Sequence, residues 1–489
     1  MKIKIIALVM IFMLISSVAC GSSEPAGDNS GEAAVSDGGA EVLREEADEY
    51  IFADLDLGGE NFVFLNPSQD WDFYNDIILE AETGEILDDS IYARNRTVEE
   101  NFNLTLVEVK VDIGETENRI RNTVLAGDDA YDATYCPAYN NGAIGALITQ
   151  GLFYNLKDFD EFKLDQAWWN QNIQAETSLG SGSNIYFVLP DINIMSLQTP
   201  WCVYINEDMM TDLGLDLPYS LVKSGAWTYD KLYEYARAGA QLNGAADFNW
   251  DQSGPAVYGL TAWQHGIGAL FYASGERFVS KDAGGMPYLS VGSERFISAA
   301  DKIAEMTGTA GVYQSANDWP NPFNFQYIFR DGKALTMIGE LKAADSLRQI
   351  DTTFGIVPLP KYDANQDRYY SSVTMQMPVL TVPVTNLNPE STGIILDAMA
   401  YLSYKNVTPV FFDVTMSQKQ LRNEESIEML QIIKDTVVYD VGTAYGWTAS
   451  LFLTIRGDID GGRNNAMTAI ERQRDRIEIS IADMMELIN

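Results

Sequence analysis

The 489-residue chain has one histidine and three cysteines, and no C-x-x-C pair. A lone His265 excludes the common histidine-rich metal sites. Cys136 and Cys202, the two cysteines after Cys20, are too few for a disulfide framework. They form either one bridge or two buried thiols. As a catalytic base, His265 would need one of them as nucleophile, and its context "WQHGIG" carries no such signature. A structural place for His265 at the surface or at the edge of a cleft is expected. No G-x-x-x-x-G-K-[ST] occurs, which excludes ATP binding through a P-loop. "DFNWDQ", Asp247 to Gln252, starts like a calcium loop, but Gln252 stands where such a loop needs Gly and Tyr258 where it needs Glu. Neither a metal nor a cofactor is expected. Basic residues are also scarce: 32 Lys and Arg stand against 70 Asp and Glu, a formal charge of −38. So acidic a chain repels phosphate backbones, which excludes nucleic acid as a partner. After Ile15 no apolar run is long enough to span a membrane, and no internal repeat is visible.

The first residues are different. "MKIKIIALVMIFMLI" has Lys2 and Lys4 followed by an unbroken apolar run from Ile5 to Ile15, the anatomy of a secretory signal peptide. Small residues Ser17 and Ala19 precede Cys20, and the arrangement resembles a bacterial lipoprotein signal. The resemblance implies removal of residues 1–19 and lipidation of Cys20. The plainer alternative is a secreted protein cut near Ala19, with Cys20 incidental. Gly21 to Glu49 has no aromatic residue and is rich in Gly, Ser, Ala, Asp and Glu, too little apolar surface to offset the entropy of ordering. Residues 20–49 read as a tether with a reach on the order of 30 Å. The folded body begins at Tyr50, and about 440 residues call for at least two domains.

Within that body, "NFVFLN" (Asn61 to Asn66) reads as a strand and "DDSIYARNRTVEENF" as the helix after it. "LTLVEVKV" is a buried strand, Glu117 to Ala126 a helix, "YDATYC" a third strand and Ala143 to Gln150 another helix. This alternation predicts a mostly parallel sheet with helices on its faces. A second block opens with "TPWCVYINEDMMTDLGL", a strand running into a helix. "WTYDKLYEYARAG" is a helix capped at Thr228, and "YGLTA" and "FGIVPLP" are further strands. "GKALTMIGELKAADSL" reads as a strand, a turn at Gly339 and a helix. The region after about Ser426 is helical in pattern.

The ordered series "GEILDDSIYARNRTVEENFN", "LAGDDAYDATY", "GLFYNLKDFDEFKLDQAWWN", "CVYINEDMMTDLGL", "GAWTYDKLYEYARAG", "GKALTMIGE" and "FGIVPLPKYD" resembles the extracellular solute-binding proteins of carbohydrate ABC importers, the family of maltose-binding protein. The resemblance covers roughly residues 60–485. It implies an α/β, two-lobed periplasmic-binding-protein-like fold with a hinge and a central cleft. The N-lobe would take residues 50–200 and 372–425, the C-lobe 201–371 and 426–489, with crossings near Ser196–Tyr204 and Ser371–Val379. It further implies a monomer that carries a carbohydrate, an oligosaccharide by preference, to ABC permease subunits. The chain would be held by its lipid anchor at the outer face of the bacterial cytoplasmic membrane.

Sugars present flat C–H faces and many hydroxyls, so their sites need aromatic platforms and polar side chains. Ligands of open α/β sheets lie beyond the carboxyl ends of strands. The candidate ligand residues on that rule are Gln69, Asp70 and Trp71 after the first strand, Tyr139 and Asn140 after the third, Trp201 in the first crossing, Trp263 after "YGLT", and Glu340 after "TMIG". Trp447 in "AYGWTASLF" matches, by the resemblance, an aromatic platform near the C-terminal helices, and would face Tyr139 across the ligand. Trp168 and Trp169 lie far from strand ends and are assigned to packing. The expected activity is binding without bond cleavage. The alternative is an anchored glycosidase, which needs two carboxyl groups about 5 to 9.5 Å apart. If Cys20 is the lipid site, Cys20→Ala releases the protein from the membrane fraction; retention as firm as before contradicts the assignment.

Overall fold

In this chain long apolar runs become strands covered on both faces, and they sort into two sheets. The computed structural model describes residues 50–68, 76–138, 143–316, 326–347, 352–413 and 424–488. The first sheet holds β1 (Glu60–Ser68), β2 (Leu104–Asp112), β3 (Ala133–Pro137) and β12 (Pro378–Thr381), in the order β12-β3-β1-β2. β1 is parallel to both β2 and β3, and β12 runs antiparallel to β3. The second sheet holds β4 (Trp201–Asn206), β5 (Tyr258–Ala262), β8 (Tyr313–Ser315), β9 (Ala334–Glu340) and β10 (Phe354–Pro358), in the order β10-β4-β9-β5-β8. A hairpin of β6 (Val279–Lys281) and β7 (Pro287–Leu289) and a small parallel pair, β11 (Ser371–Ser372) with β13 (Val437–Val438), complete the strands among the described residues.

All residues of β3, β4, β5, β9 and β10 are buried. Both faces of these strands are covered, which is why their sequences are continuous apolar runs rather than alternating ones. One continuous apolar core includes Leu65 and Cys136 of the first sheet and Val203 and Ile338 of the second. Cys136 and Cys202 are free buried thiols, each pushed above the usual cysteine range by burial.

The helices follow from local signals. Asp112 caps the helix Ile113–Leu125 by accepting from the Gly114 N–H at 2.8 Å, which starts that helix four residues earlier than the sequence pattern suggested. The helix Tyr229–Gly239 begins after Thr228 and ends on the glycine. Gly339 does not turn the chain. It pairs with Cys202 inside the ladder between β9 and β4, and the strand continues to Glu340. The region after Ser426 carries the helices Glu424–Asp435, Val441–Ala444, Ala449–Asp460 and Ala466–Ile488, interrupted by β13.

The start of the folded body is pinned. Tyr50 donates from its hydroxyl to Asp397 Oδ2 at 3.0 Å, while the indoles of Trp168 and Trp169 donate to Oδ1 at 2.6 and 3.1 Å. The Lys163 ammonium lies 3.1 Å from the same buried carboxylate. Both tryptophans are therefore packing residues with a polar task.

The two sheets meet end to end. β3 ends at Pro137, which pairs with Pro378, the first residue of β12. β9 ends at Glu340, which pairs with Trp201, the first residue of β4. The two passages of the chain into those strands touch, because the Thr199 hydroxyl donates to Met377 Sδ at 3.6 Å. The carboxyl ends of β3 and β9 thus flank a common seam.

Helix and sheet approach closely at Gly259 on β5, where an added Cβ would stand 1.8 Å from the Ala236 carbonyl oxygen. Gly259→Ala is expected to cost about 3 kcal/mol or more. Gly457, in the helix Ala449–Asp460, has open space where a Cβ would go. Gly457→Ala should stabilise by roughly 0.5 to 1 kcal/mol. Urea unfolding of both variants checks the pair of signs.

Candidate ligand cleft

Three of the residues singled out by sequence come together at the seam. Trp201 and Glu340 are paired neighbours at the edge of the second sheet, and Trp263 directly follows β5 at that same edge, where Ala262 pairs with both Ile338 and Ser315. Trp201 is only 2% exposed. The Tyr204 hydroxyl donates to the backbone carbonyls of Glu340 and Leu341 at 2.8 and 3.0 Å, which fixes the end of β9. Gln69, Asp70, Trp71, Tyr139 and Asn140, like Cys20, lie outside the described residues.

Trp263 is half-buried, with its ring centroid 4.0 Å from that of His265. His265 is 5% exposed, so it is an interior residue at the seam rather than a surface one. Burial, and then the positive charge of Arg456, hold its imidazole well below the usual histidine range, and it stays neutral. Of the two expected places, surface or cleft edge, the surface one is excluded because a neutral imidazole packs as an aromatic, here against Trp263 and, at 6.4 Å, Phe452, while the residue lines the gap at the seam.

Beside His265 the two halves leave a gap of about 10 Å³, lined among others by Trp201, Tyr272, Met375, Tyr439 and Asp440. That is room for about one water molecule. Asp440 has its acceptors engaged: Oδ2 takes the backbone N–H groups of Phe278 and Val279 at 2.9 and 3.3 Å, and Oδ1 those of the Thr443 backbone and hydroxyl at 2.8 and 3.1 Å. The carboxylate that remains at the sheet edge is Glu340. Burial pushes its pKa up to about 7, with Thr374 and Lys342 pulling the other way. Near neutrality its carboxyl is protonated in a large fraction of molecules and can donate as well as accept, which suits a hydroxylated ligand.

Trp447 stands apart from this group, in a crevice of about 590 Å³. It is 6% exposed and stacks on Tyr445 with ring centroids 4.7 Å apart and planes 17° from parallel. The helix Ala143–Thr149, which begins a few residues after Tyr139 and Asn140 in the sequence, packs directly on this pair. A Cβ at Gly145 would lie 2.4 Å from the Tyr445 carbonyl oxygen and 3.4 Å from the Trp447 indole nitrogen. Sequence reasoning missed Tyr445, although "YGW" places two aromatics around one glycine, and it missed Tyr272, inside the helix Gln264–Ala273, and Tyr439, just after β13, whose positions carry no ligand signal.

No protein-family model matches the chain, and no curated protein matches it by sequence. Solved structures do match by shape. An ABC substrate-binding protein of Listeria monocytogenes in complex with cycloalternan is 11% identical, with a TM-score of 0.55, over 87% of this chain and 99% of that one. A sugar transporter protein of Rhizobium etli in an open conformation is 13% identical, with a TM-score of 0.57, over 86% and 99%. A cyclic alpha-maltosyl-1,6-maltose binding protein of Arthrobacter globiformis is 10% identical, with a TM-score of 0.56, over 87% and 99%. At such identities the likeness is one of fold: this chain has the two-lobed α/β architecture of sugar-binding proteins.

Glu340 gives a pH test. Its folded pKa lies above that of an unfolded glutamate, so between about 4.5 and 7 the folded protein binds a proton that the unfolded chain has lost. The stability Glu340 contributes is present below that window and is lost as pH rises through 7. The stability of Glu340→Gln, measured by urea unfolding from pH 5 to 8, should fall less than that of the wild type; parallel curves would contradict the assignment.

Proposed function

We propose that this chain is an extracellular solute-binding protein that captures a saccharide between two lobes and delivers it to the permease of an ABC importer. The lobes are residues 50–200 with 372–425 and residues 201–371 with 426–489. The observation that carries the reading is the seam: strand ends of two α/β sheets meet there, bordered by Trp201, Trp263 and Glu340. Proteins of this fold include ones described as bound to cycloalternan, tagatose and maltotetraose. Anchoring through Cys20, a tether over residues 20–49 and a monomeric state belong to the same reading. Gln69, Asp70, Trp71, Tyr139 and Asn140 belong to it as ligand residues supplied from the first lobe.

The gap of about 10 Å³ cannot hold a sugar ring, so entry at the seam requires the halves to part. Ligand binding then stabilises the closed form by its differential affinity for it. Binding without turnover is favoured over glycoside hydrolysis because Asp440, the carboxylate lining the gap, has both oxygens occupied by donors from its own chain. A glycosidase needs two carboxyl groups free to act on the substrate.

A thermal-shift screen across saccharides should yield a ligand that raises Tm, and chromatography should return it unchanged after prolonged incubation. Release of shorter sugars would instead favour the hydrolase. For that ligand, Trp263→Ala should weaken binding by roughly tenfold or more, as expected on loss of a half-buried aromatic anchor. Trp447→Ala should also destabilise the fold, by about 3 kcal/mol, because that ring is almost wholly buried. Calorimetry and urea unfolding separate the two effects.

A further inference from the structure

The hairpin of β6 and β7 falls in the second lobe on the proposed bounds, yet it takes hold of a helix that falls in the first, Gln171–Thr177. That helix is tied to its own side. The Gln171 and Gln174 amides both donate to the Leu164 carbonyl, at 3.1 and 3.0 Å, and the turn after the helix is held by Asn155, which donates to the Ser183 carbonyl at 3.0 Å. The hairpin is tied to the seam. Asp440, which lines the gap there, accepts from the backbone N–H groups of Phe278 and Val279 at its root.

Between hairpin and helix the chemistry is complementary. Arg277, just before β6, forms an ion pair with Glu176: Nη2 lies 3.2 Å from Oε1, and Nε donates to Oε2 at 3.4 Å. The Arg277 side chain is only 10% exposed, so water screens this pair less than an ordinary surface pair. The Lys281 ammonium donates to the carbonyls of Ala175 and Ser178, the latter at 2.7 Å. These carbonyls stand at the end of the helix, where intrahelical bonding leaves acceptors open and the dipole is negative. At the tips backbone meets backbone. The Gly180 N–H donates to the Gly285 carbonyl at 3.2 Å, and a Cβ at Gly285 would stand 2.1 Å from the Ser181 nitrogen, so the tips interlock only because residue 285 is glycine. From the other side of the helix, the Asn172 amide donates to the Asp435 carbonyl at 3.3 Å.

We infer that the β6–β7 hairpin is a strap between the lobes: Arg277 and Lys281 grip the helix Gln171–Thr177 in the tight form seen here, and the grip is released when the seam parts. The inference rests on the lobe bounds of the reading above and is independent of which solute binds. The strap is engaged in the same structure in which the gap at the seam holds about one water, so it weights the equilibrium toward the closed form. A solute held by the closed form then has an apparent affinity scaled by the closed fraction, so strap strength sets how tightly any solute is retained. Gap, hairpin and first-lobe helix form one contiguous series of contacts through Asp440, Phe278 and Arg277.

The test uses the full mature chain without any sugar, so its outcome does not depend on the saccharide reading. The variants are Glu176→Gln, Lys281→Met and the two combined. Lys302→Met is the control, since it removes a comparable ion pair, to Asp230 at 2.8 Å, that lies within the second lobe. Hydrogen exchange of the peptide carrying the Gly180 amide reads the strap itself. Spin labels on Leu125→Cys and Ile479→Cys, read by pulsed electron resonance, report the lobes. The ratio of short to long distances should fall about threefold in each single variant and about tenfold in the double one, and Gly180 exchange should quicken by similar factors, the effect of ion pairs at partly exposed sites. Lys302→Met should change neither. Unchanged Gly180 exchange in the double variant shows that these side chains do not hold the strap and overturns the proposal. Faster exchange with an unchanged distance distribution, or a shift toward shorter distances, overturns it as well. Far-ultraviolet circular dichroism of each variant guards against unfolding as the cause.

Discussion

The site is organised along the line where the two passages of the chain between sheets touch, at Thr199 and Met377, within the apolar core that both sheets share. Each passage runs into the amino end of a strand, β4 in one direction and β12 in the other. Because β9 is antiparallel to β4, and β3 to β12, those two amino ends lie beside carboxyl ends of the neighbouring strands. The contact therefore brings the loop-bearing edges of both sheets to one line. With it, side chains from distant segments such as Trp201, Trp263, Met375 and Tyr439 become neighbours.

Burial at that line has an electrostatic consequence. The chain carries −38 overall, yet the carboxyl at the sheet edge, Glu340, is driven toward its neutral form and the one histidine is held neutral. A low-dielectric seam disfavours charge on either group. Two titratable groups at the seam are therefore held toward neutrality inside a strongly acidic body, which suits an uncharged hydroxylated ligand. The acidic exterior keeps such a protein soluble and dispersed without bearing on the ligand itself.

Much of the fold was legible in the sequence. Runs such as "WCVYIN" and "FGIVP" have no polar alternation because both faces of their strands are covered, and the order of strands and helices gave the α/β class. The errors have physical causes. Gly339 read as a turn because glycine is a weak strand former, but its pairing with Cys202 in a fully buried ladder outweighs that preference. β13 is two residues long, too short to leave a period in the sequence. His265 was expected at the surface or at the edge of a cleft; packing against Trp263 makes it an interior residue at the seam. Of the candidate site, Trp263 and Glu340 were singled out by the strand-end rule, Trp201 by its place in the first crossing, and Trp447 by resemblance. Tyr445 and Tyr439 were not, since nothing local marks their contacts with Phe187 and Met375, residues far away in the sequence.

The central claim is that the two halves part to admit a sugar and close upon it, and a distance measurement tests it most directly. Leu125 and Ile479, 68% and 61% exposed, fall in different lobes on the proposed bounds, while the native Cys136 and Cys202 are buried and unreactive toward labels. Spin labels on Leu125→Cys and Ile479→Cys, read by pulsed electron resonance, should give a long or broad distance distribution without sugar. A saccharide that binds by calorimetry should replace it with a shorter, narrower one. An unchanged distribution in the presence of a saturating, calorimetrically verified ligand would contradict the account.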